Sequence, residues 1–222
     1  MTASANETKN WQATVIDAGV GNLGNLARAL EHVGARCEIT TDPAKIAASR
    51  CLLLPGVGAF RPPRETLRGA MEEAILAARE KRAYLLGICV GYQLLFEGGD
   101  EFGWTDGLGF LPGTVQRLPE TVTLPHIGWN ALRWETRSDQ LDHPLLKNIP
   151  QGAHMYFVHS YAPYGVPPEH RVASATHGDT FTAIAGHKRL FGTQFHPEKS
   201  GRHGLRLLAN YLELAHAADP GY

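Results

Sequence analysis

Sulfur is scarce in this chain: three cysteines and three methionines in 222 residues. Cys37, Cys51 and Cys89 are odd in number and scattered, which excludes a disulfide framework and fits a reducing compartment. The eleven histidines show no His-x-x-x-His or Cys-x-x-Cys spacing, so no metal site is expected. Net charge is nearly absent, with 21 Lys and Arg against 22 Asp and Glu, so nothing favours nucleic acid or a membrane surface as partner. No apolar run approaches the roughly 20 residues that cross a bilayer. Met1 to Asn10 is polar, lacks the apolar centre of a signal peptide and reads as a flexible tail. The expected location is the cytoplasm. With no internal repeat and no linker-like stretch, residues 11–222 read as one domain with a sizeable core.

What is present centres on Leu85-Leu86-Gly87-Ile88-Cys89-Val90-Gly91-Tyr92-Gln93. An apolar run ends in Gly-x-Cys-x-Gly, and a helix-like pattern follows. This is the layout of a nucleophile elbow with cysteine in place of serine. A side chain at Gly87 or Gly91 would collide with its neighbours in so sharp a turn, and the nucleophile is held in a strained conformation. Most lone cysteines are packing residues, as Cys37 and Cys51 are expected to be. Cys89 differs because a partner set lies near the far end of the chain. Gln194-Phe195-His196-Pro197-Glu198 closes a strand-like run. A cysteine nucleophile needs a base, and the imidazole needs an acceptor that fixes its tautomer. Extended residues at i and i+2 point the same way, so Glu198 is expected to bond the far nitrogen of His196.

Strands and helices alternate through the first half. Strands are expected at 13–17, 35–40, 51–54 and 84–88, with helices from about 24 to 33 and from 64 to about 81. The second of these helices carries an apolar stripe through Leu67, Ala70, Met71, Ala74 and Leu76. Such alternation implies an α/β fold: an open, mostly parallel twisted sheet with helices on both faces. Short strands between Gly113 and Trp134 suggest an antiparallel β addition. Tyr156 to Tyr161 reads as one strand, and further strands are expected near 171–175, 180–185 and 190–195. A closing helix spans 202–217, with Leu205, Leu208, Leu212 and Ala215 inward. Ligands of such sheets bind beyond the carboxyl ends of the strands. Cys89 falls there, and so does Pro55-Gly56-Val57-Gly58, whose glycines can turn an N–H toward a developing charge.

A different class of function has its own signal. Gly19-Val20-Gly21-Asn22-Leu23-Gly24 is a G-x-G-x-x-G after a strand, with Glu38 near the spacing of a dinucleotide-binding fingerprint. Asp17, just ahead of Gly19, would oppose a pyrophosphate, and this reading gives Cys89 and His196 no task.

The elbow and His-Pro-Glu resemble the class I (triad) glutamine amidotransferases. Pro-Gly-Val-Gly, Pro125-His126-Ile127-Gly128-Trp129-Asn130 and Tyr156 to Tyr161 narrow the resemblance to glutaminase subunits of imidazole glycerol phosphate synthases, over about 13–214. The resemblance implies a Cys89, His196, Glu198 triad. It implies an oxyanion hole from Val90 N–H and the Val57 or Gly58 N–H, and a glutamine site at Gln93, Glu101, His159, Ser160 and Tyr161. No cofactor is implied. The implied partner is a (β/α)₈-barrel cyclase subunit, met through Asn22, Asn25, Pro125, His126, Trp129, Asn130 and Lys199, in a heterodimer that channels ammonia into histidine biosynthesis. A paralogous glutaminase feeding a different acceptor enzyme shares the same motifs. The chain departs from the family at Ala18, usually Tyr, at Tyr84, commonly Pro, and at Val90-Gly91-Tyr92, commonly Leu-Gly-Met.

Overall fold

A computed structural model describes residues 10–134 and 143–217; the expected N-terminal tail, Asn10 aside, lies outside them. The first half runs β1 (Trp11–Ile16), α1 (Leu23–His32), β2 (Ala35–Thr40), α2 (Pro43–Ala48), β3 (Cys51–Gly56), α3 (Arg61–Leu67), α4 (Ala70–Glu80), β4 (Tyr84–Cys89) and α5 (Val90–Gln93). The second half adds β5 (Gly98–Gly99), β6 (Thr105–Asp106), β7 (Thr114–Arg117), β8 (His126–Ala131), β9 (His154–His159), β10 (Tyr161–Tyr164), β11 (Arg171–His177), β12 (Asp179–His187), β13 (Leu190–Thr193) and α6 (Gly201–His216).

A seven-stranded sheet in the order β11-β12-β13-β4-β3-β1-β2 forms the frame. The pairs from β13 to β2 are parallel, while β12 and β11 extend the sheet antiparallel. Helices α1 and α6 pack together, as do α2 and α4, and they cover its two faces. Strands β3 and β4 are buried at every residue, which is why Cys-Leu-Leu-Leu and Tyr-Leu-Leu-Gly-Ile run apolar without alternation. Edge strand β2 exposes Arg36 and leaves Glu38 to pair with Lys45, a charged edge that discourages further pairing. Tyr211 of α6 reaches through the core to donate a 2.7 Å hydrogen bond to Leu52 O.

Two local expectations are corrected, and one element is new. The helix expected over 64–81 is two helices: it starts earlier, with prolines in its first turn, and breaks at Arg68-Gly69, where Gly69 takes φ +80°. That break turns Ala70 and Leu76 outward and brings Ile75 and Ala78 into the core. The run Tyr156 to Tyr161 divides between two sheets. Strand β9 pairs with β8, β10 pairs with β7, and Ser160 sits at the joint. Helix α2 was not anticipated, although its signal is present: Asp42 accepts from Ala44 N–H and Pro43 fills the first position.

Candidate active site

Strand register assembles the site. Gly56 is paired with Cys89, and Thr193 with Ile88, so the 57–58 loop and the 194–196 segment both leave the sheet beside the cysteine. This is the carboxyl edge of three adjacent parallel strands. Cys89 takes φ +54°, a conformation that costs a non-glycine residue about 1–3 kcal/mol. It is held there by close packing. A β-carbon on Gly87 would lie 2.7 Å from Gly91 O, and one on Gly91 only 1.8 Å from Leu54 O. The helix after the elbow is four residues long, α5, continued to Phe96 by single-turn bonds. Local N–H groups, not a long helix dipole, are therefore what the elbow offers a developing charge.

His196 follows β13 and is 2 % exposed. Its Nδ1 lies 2.8 Å from Glu198 Oε1. The route to this contact differs from the extended i, i+2 geometry expected. Pro197–Lys199 is a 3₁₀ turn, and it curls Glu198 back beneath the imidazole. Ser200 Oγ donates to His196 O at 2.6 Å and accepts from Tyr156 N–H at 2.9 Å, fixing the turn against β9. Burial alone would lower the His196 pKa; the neighbouring Cys89 sulfur and Glu198 carboxylate overcome it and raise it to about 10. Nε2 of His196 is buried and makes no hydrogen bond among the described residues.

These groups open on a cavity of about 260 Å³. Its wall includes Cys89, His196, Val57, Gly58 and Val90, together with Gln93, Glu101, His159, Ser160 and Tyr161. Glu198 stands behind His196. Gln93 Nε2 donates to Tyr161 O at 2.9 Å and to Gln194 Oε1 at 3.1 Å. Glu101 Oε2 accepts from Phe60 N–H at 2.8 Å. His159 places Nδ1 2.9 Å from Tyr161 O and Nε2 3.1 Å from His126 Nδ1. Burial, helped by the repulsion that a second charged imidazole alongside would cause, lowers the pKa of His159 to about 3 and of His126 to about 4, so both rings are neutral near pH 7.

The remaining residues singled out in the sequence are spread more widely. Pro125 joins the cavity wall beside Val158. His126 is buried, and Asn130 bonds Thr176 O at 2.9 Å, while Trp129 on the same strand is 55 % exposed. Lys199 Nζ lies 5.8 Å from the centre of the Tyr156 ring. Asn22 caps α1 through Asn25 N–H, and Asn25 Oδ1 accepts from Arg28. In the Gly19–Gly24 loop, Asp17 Oδ1 accepts from Gly19 N–H at 2.8 Å. A β-carbon at Gly24 would meet only ordinary contacts, so the third glycine is not required for packing as it is in the dinucleotide fingerprint. Among the described residues, no group of three or more His, Cys, Asp or Glu side chains could hold a metal ion, and no helix is long and apolar enough to cross a membrane.

Two neighbours of the sulfur were missed in the sequence, and one of them is the Val158 carbonyl, 4.0 Å from Cys89 Sγ. Gln194 Nε2 is 4.0 Å from Cys89 Sγ. Residue type alone did not mark it: β13 ends at Thr193, and Gln194 reaches the sulfur from the bend that leads to His196.

A cysteine on an elbow, a buried His–Glu pair and a seven-stranded α/β sheet together define a class. The glutamine amidotransferase class-I family model matches residues 14–214, and the chain belongs to that family. Among curated relatives, the imidazole glycerol phosphate synthase subunit HisH of Symbiobacterium thermophilum is 43% identical over 89% of this chain and 91% of its own length. The subunit of the same name from Salinibacter ruber is 42% identical, over 94% and 97%, and that from a Synechococcus strain 45%, over 92% and 94%. Solved structures share the fold at 18% identity. A glutamine amidotransferase matches with TM-score 0.71 over 91% of this chain and 98% of that one. PurLQS from Thermotoga maritima matches with TM-score 0.70, over 92% and 98%.

Proposed function

We propose that this chain is the glutaminase subunit of an imidazole glycerol phosphate synthase. It hydrolyses glutamine to glutamate and ammonia and passes the ammonia to a (β/α)₈-barrel cyclase subunit in the cytoplasm, for histidine biosynthesis. The observation that carries the chemistry is the strained Cys89 facing the buried His196–Glu198 pair across one cavity. The pathway rests on the HisH relatives, which align with this chain over nearly their full length.

The Cys89 thiolate attacks the side-chain amide carbon of glutamine, and its carbonyl electrons move to oxygen. N–H groups of Val90 and of Val57 or Gly58 receive that oxyanion. His196, held by Glu198, gives its proton to the amide nitrogen; the C–N bond breaks, ammonia leaves and a glutamyl thioester remains. The raised pKa of His196 keeps it charged for this step. Neutral His196 then takes a proton from water, which attacks the thioester and releases glutamate and the thiolate. The α-ammonium of glutamine meets the Glu101 carboxylate, and Gln93, His159, Ser160 and Tyr161 line the site of its α-amino acid end. Free ammonia is lost if it escapes, so a partner docked at the β8–β9 ribbon completes the reaction. Asn22, Asn25 and Lys199 belong to that contact in this reading.

The test is glutamate release from glutamine by the chain alone, with the cyclase subunit, and with that subunit and its ribonucleotide substrate, each beside Cys89→Ala. Stimulation by partner and ribonucleotide, lost in the variant, is expected. Cys89-dependent release indifferent to this partner would assign the ammonia to another acceptor. Absence of Cys89-dependent glutamate in every mixture would refute the reading.

A further inference from the structure

Glu101 is more than a wall of the cavity. Its Oε2 accepts the backbone N–H of Phe60 at 2.8 Å, and Phe60 lies two residues beyond Gly58. The same two segments are joined twice more. Arg61 Nε donates to Thr105 Oγ1 at 3.2 Å, and Arg64 Nε donates to Asp106 O at 3.0 Å. Arg64 is buried and held by a two-pronged pair with Glu72 at 2.7 and 3.0 Å. The Phe60 ring packs against Gly99, where a β-carbon would come within 3.2 Å of it. The loop bearing Glu101 and the start of α3 are therefore stapled together. Between the fixed strand end at Gly56, paired with Cys89, and the fixed Phe60 N–H lie only Val57, Gly58 and Ala59. Gly58 has φ +84° and open space where a β-carbon would be, and the Phe60 N–H is an anchored point on its far side.

We infer that Glu101 is a positioning residue for the oxyanion loop as well as a ligand for glutamine. Through Phe60 N–H it couples occupancy of the α-ammonium subsite to the placement of the Val57 and Gly58 N–H groups. The inference rests on the proposed glutaminase reading. A carboxylate has two oxygens, so it can accept the Phe60 amide and an ammonium together, and both bonds are charge-assisted. An ammonium on the second oxygen draws Glu101 toward the cavity, and the three-residue span transmits that movement to the loop. A bond that only capped α3 would stabilise the fold and leave turnover alone.

Glu101→Gln keeps an acceptor for Phe60 N–H and loses the charge, whereas Glu101→Ala loses both. In glutamate-release assays with the partner subunit and its ribonucleotide, both variants are expected to raise KM for glutamine about ten-fold or more. Glu101→Gln keeps the Phe60 anchor but not the pull of the ammonium, so its kcat is expected to fall about three- to ten-fold, and that of Glu101→Ala a further ten-fold or more, as for a displaced oxyanion donor. Equal kcat in the two variants would overturn the coupling. A second measurement does not depend on turnover. In the Cys89→Ala chain titrated with glutamine, the Phe60 and Gly58 amide resonances are expected to move with one half-saturation; a Gly58 signal that stays put while Phe60 moves refutes the inference. Wild type that releases no glutamate in the complex would instead overturn the glutaminase reading itself.

Discussion

Gly91 and Leu54 belong to adjacent elements, yet they approach so closely that a β-carbon on Gly91 would stand 1.8 Å from the Leu54 carbonyl oxygen. The first turn after the nucleophile is thus laid directly against strand β3. A backbone oxygen in a fully buried central strand cannot move aside as a flexible side chain would. Gly91→Ala is expected to destabilise the fold by about 3 kcal/mol or more, the upper range of overpacking. Denaturant unfolding followed by circular dichroism measures it. A loss under about 1 kcal/mol would mean that the elbow is looser than this contact implies.

Strain at Cys89 gives a second, sharper comparison. Alanine normally stabilises relative to glycine because it restricts the unfolded chain. At φ +54° and ψ −111° the order should reverse. Cys89→Gly is expected to be more stable than Cys89→Ala by about 1–3 kcal/mol, both being inactive. Thermal melts of the two variants decide it, and an alanine variant that melts higher would remove strain from the account of the elbow.

Glu198 acts on the reaction through His196. In Glu198→Gln the ring faces a neutral amide that can present either its oxygen or its NH₂, so the tautomer is no longer fixed and the countercharge is gone, and kcat is expected to fall on the order of 10²–10⁴-fold. The pH profile adds a readout that misfolding would not mimic. The folded His196 pKa is raised, so its charged form dominates at neutral pH and is lost as pH rises through about 10. The stability from this charge is full below the ordinary imidazole value, about 6.5, and fades toward that alkaline limit. Removing the Glu198 charge should shift the alkaline limb of kcat to lower pH. An unmoved limb would assign it to another group.

Much of this site was legible in the sequence, for a definite reason. Elbow geometry demands glycine at two fixed positions, and nucleophilic chemistry demands a base with an acceptor, so residue type and spacing alone marked Cys89, His196 and Glu198. The parallel sheet followed from alternating elements whose central strands are apolar throughout. Less local facts were hidden. Nothing in Tyr156 to Tyr161 announces that the chain changes sheets at Ser160. The break at Gly69 interrupts an otherwise continuous helical pattern, and only φ +80° reveals it. The bond from Phe60 N–H to Glu101 joins residues 41 apart in the chain, and a backbone donor leaves no trace in residue type.

The buried imidazoles make acid stability a test of the region beside the cavity. His126 and His159, with pKa values lowered to about 4 and about 3, stay neutral in the fold where they would be charged in the unfolded chain. Stability is then expected to fall as pH drops below about 6.5, by at most about 1.4 kcal/mol per pH unit for each group, and to level near those lowered values. His159→Gln, which keeps polar atoms at the ring's position, should flatten this slope. Urea unfolding between pH 7 and 4.5 measures it, and an unchanged slope would place the acid sensitivity elsewhere, His143 being the next candidate.

Partner docking is expected to depend on Trp129. Ile127 and Trp129 are 61 % and 55 % exposed, and two residues apart on β8 they face the same side, while His126 turns inward. Tyr156 braces the indole edge-on at 6.2 Å, and Lys199 lies beyond that ring. A large aromatic side chain held this way meets water at a cost that a partner can remove, with little ordering left to do on binding. Trp129→Ala is expected to weaken binding to the cyclase subunit by about 30-fold or more, as for an interface hot spot. Its melting temperature should change little, because more than half of the side chain already contacts solvent. Ile39→Ala, on the exposed edge strand β2, serves as the control and should bind as wild type does. Calorimetric titration of the three chains reads the difference. Equal affinity for Trp129→Ala and wild type would move the docking surface away from the β8–β9 ribbon.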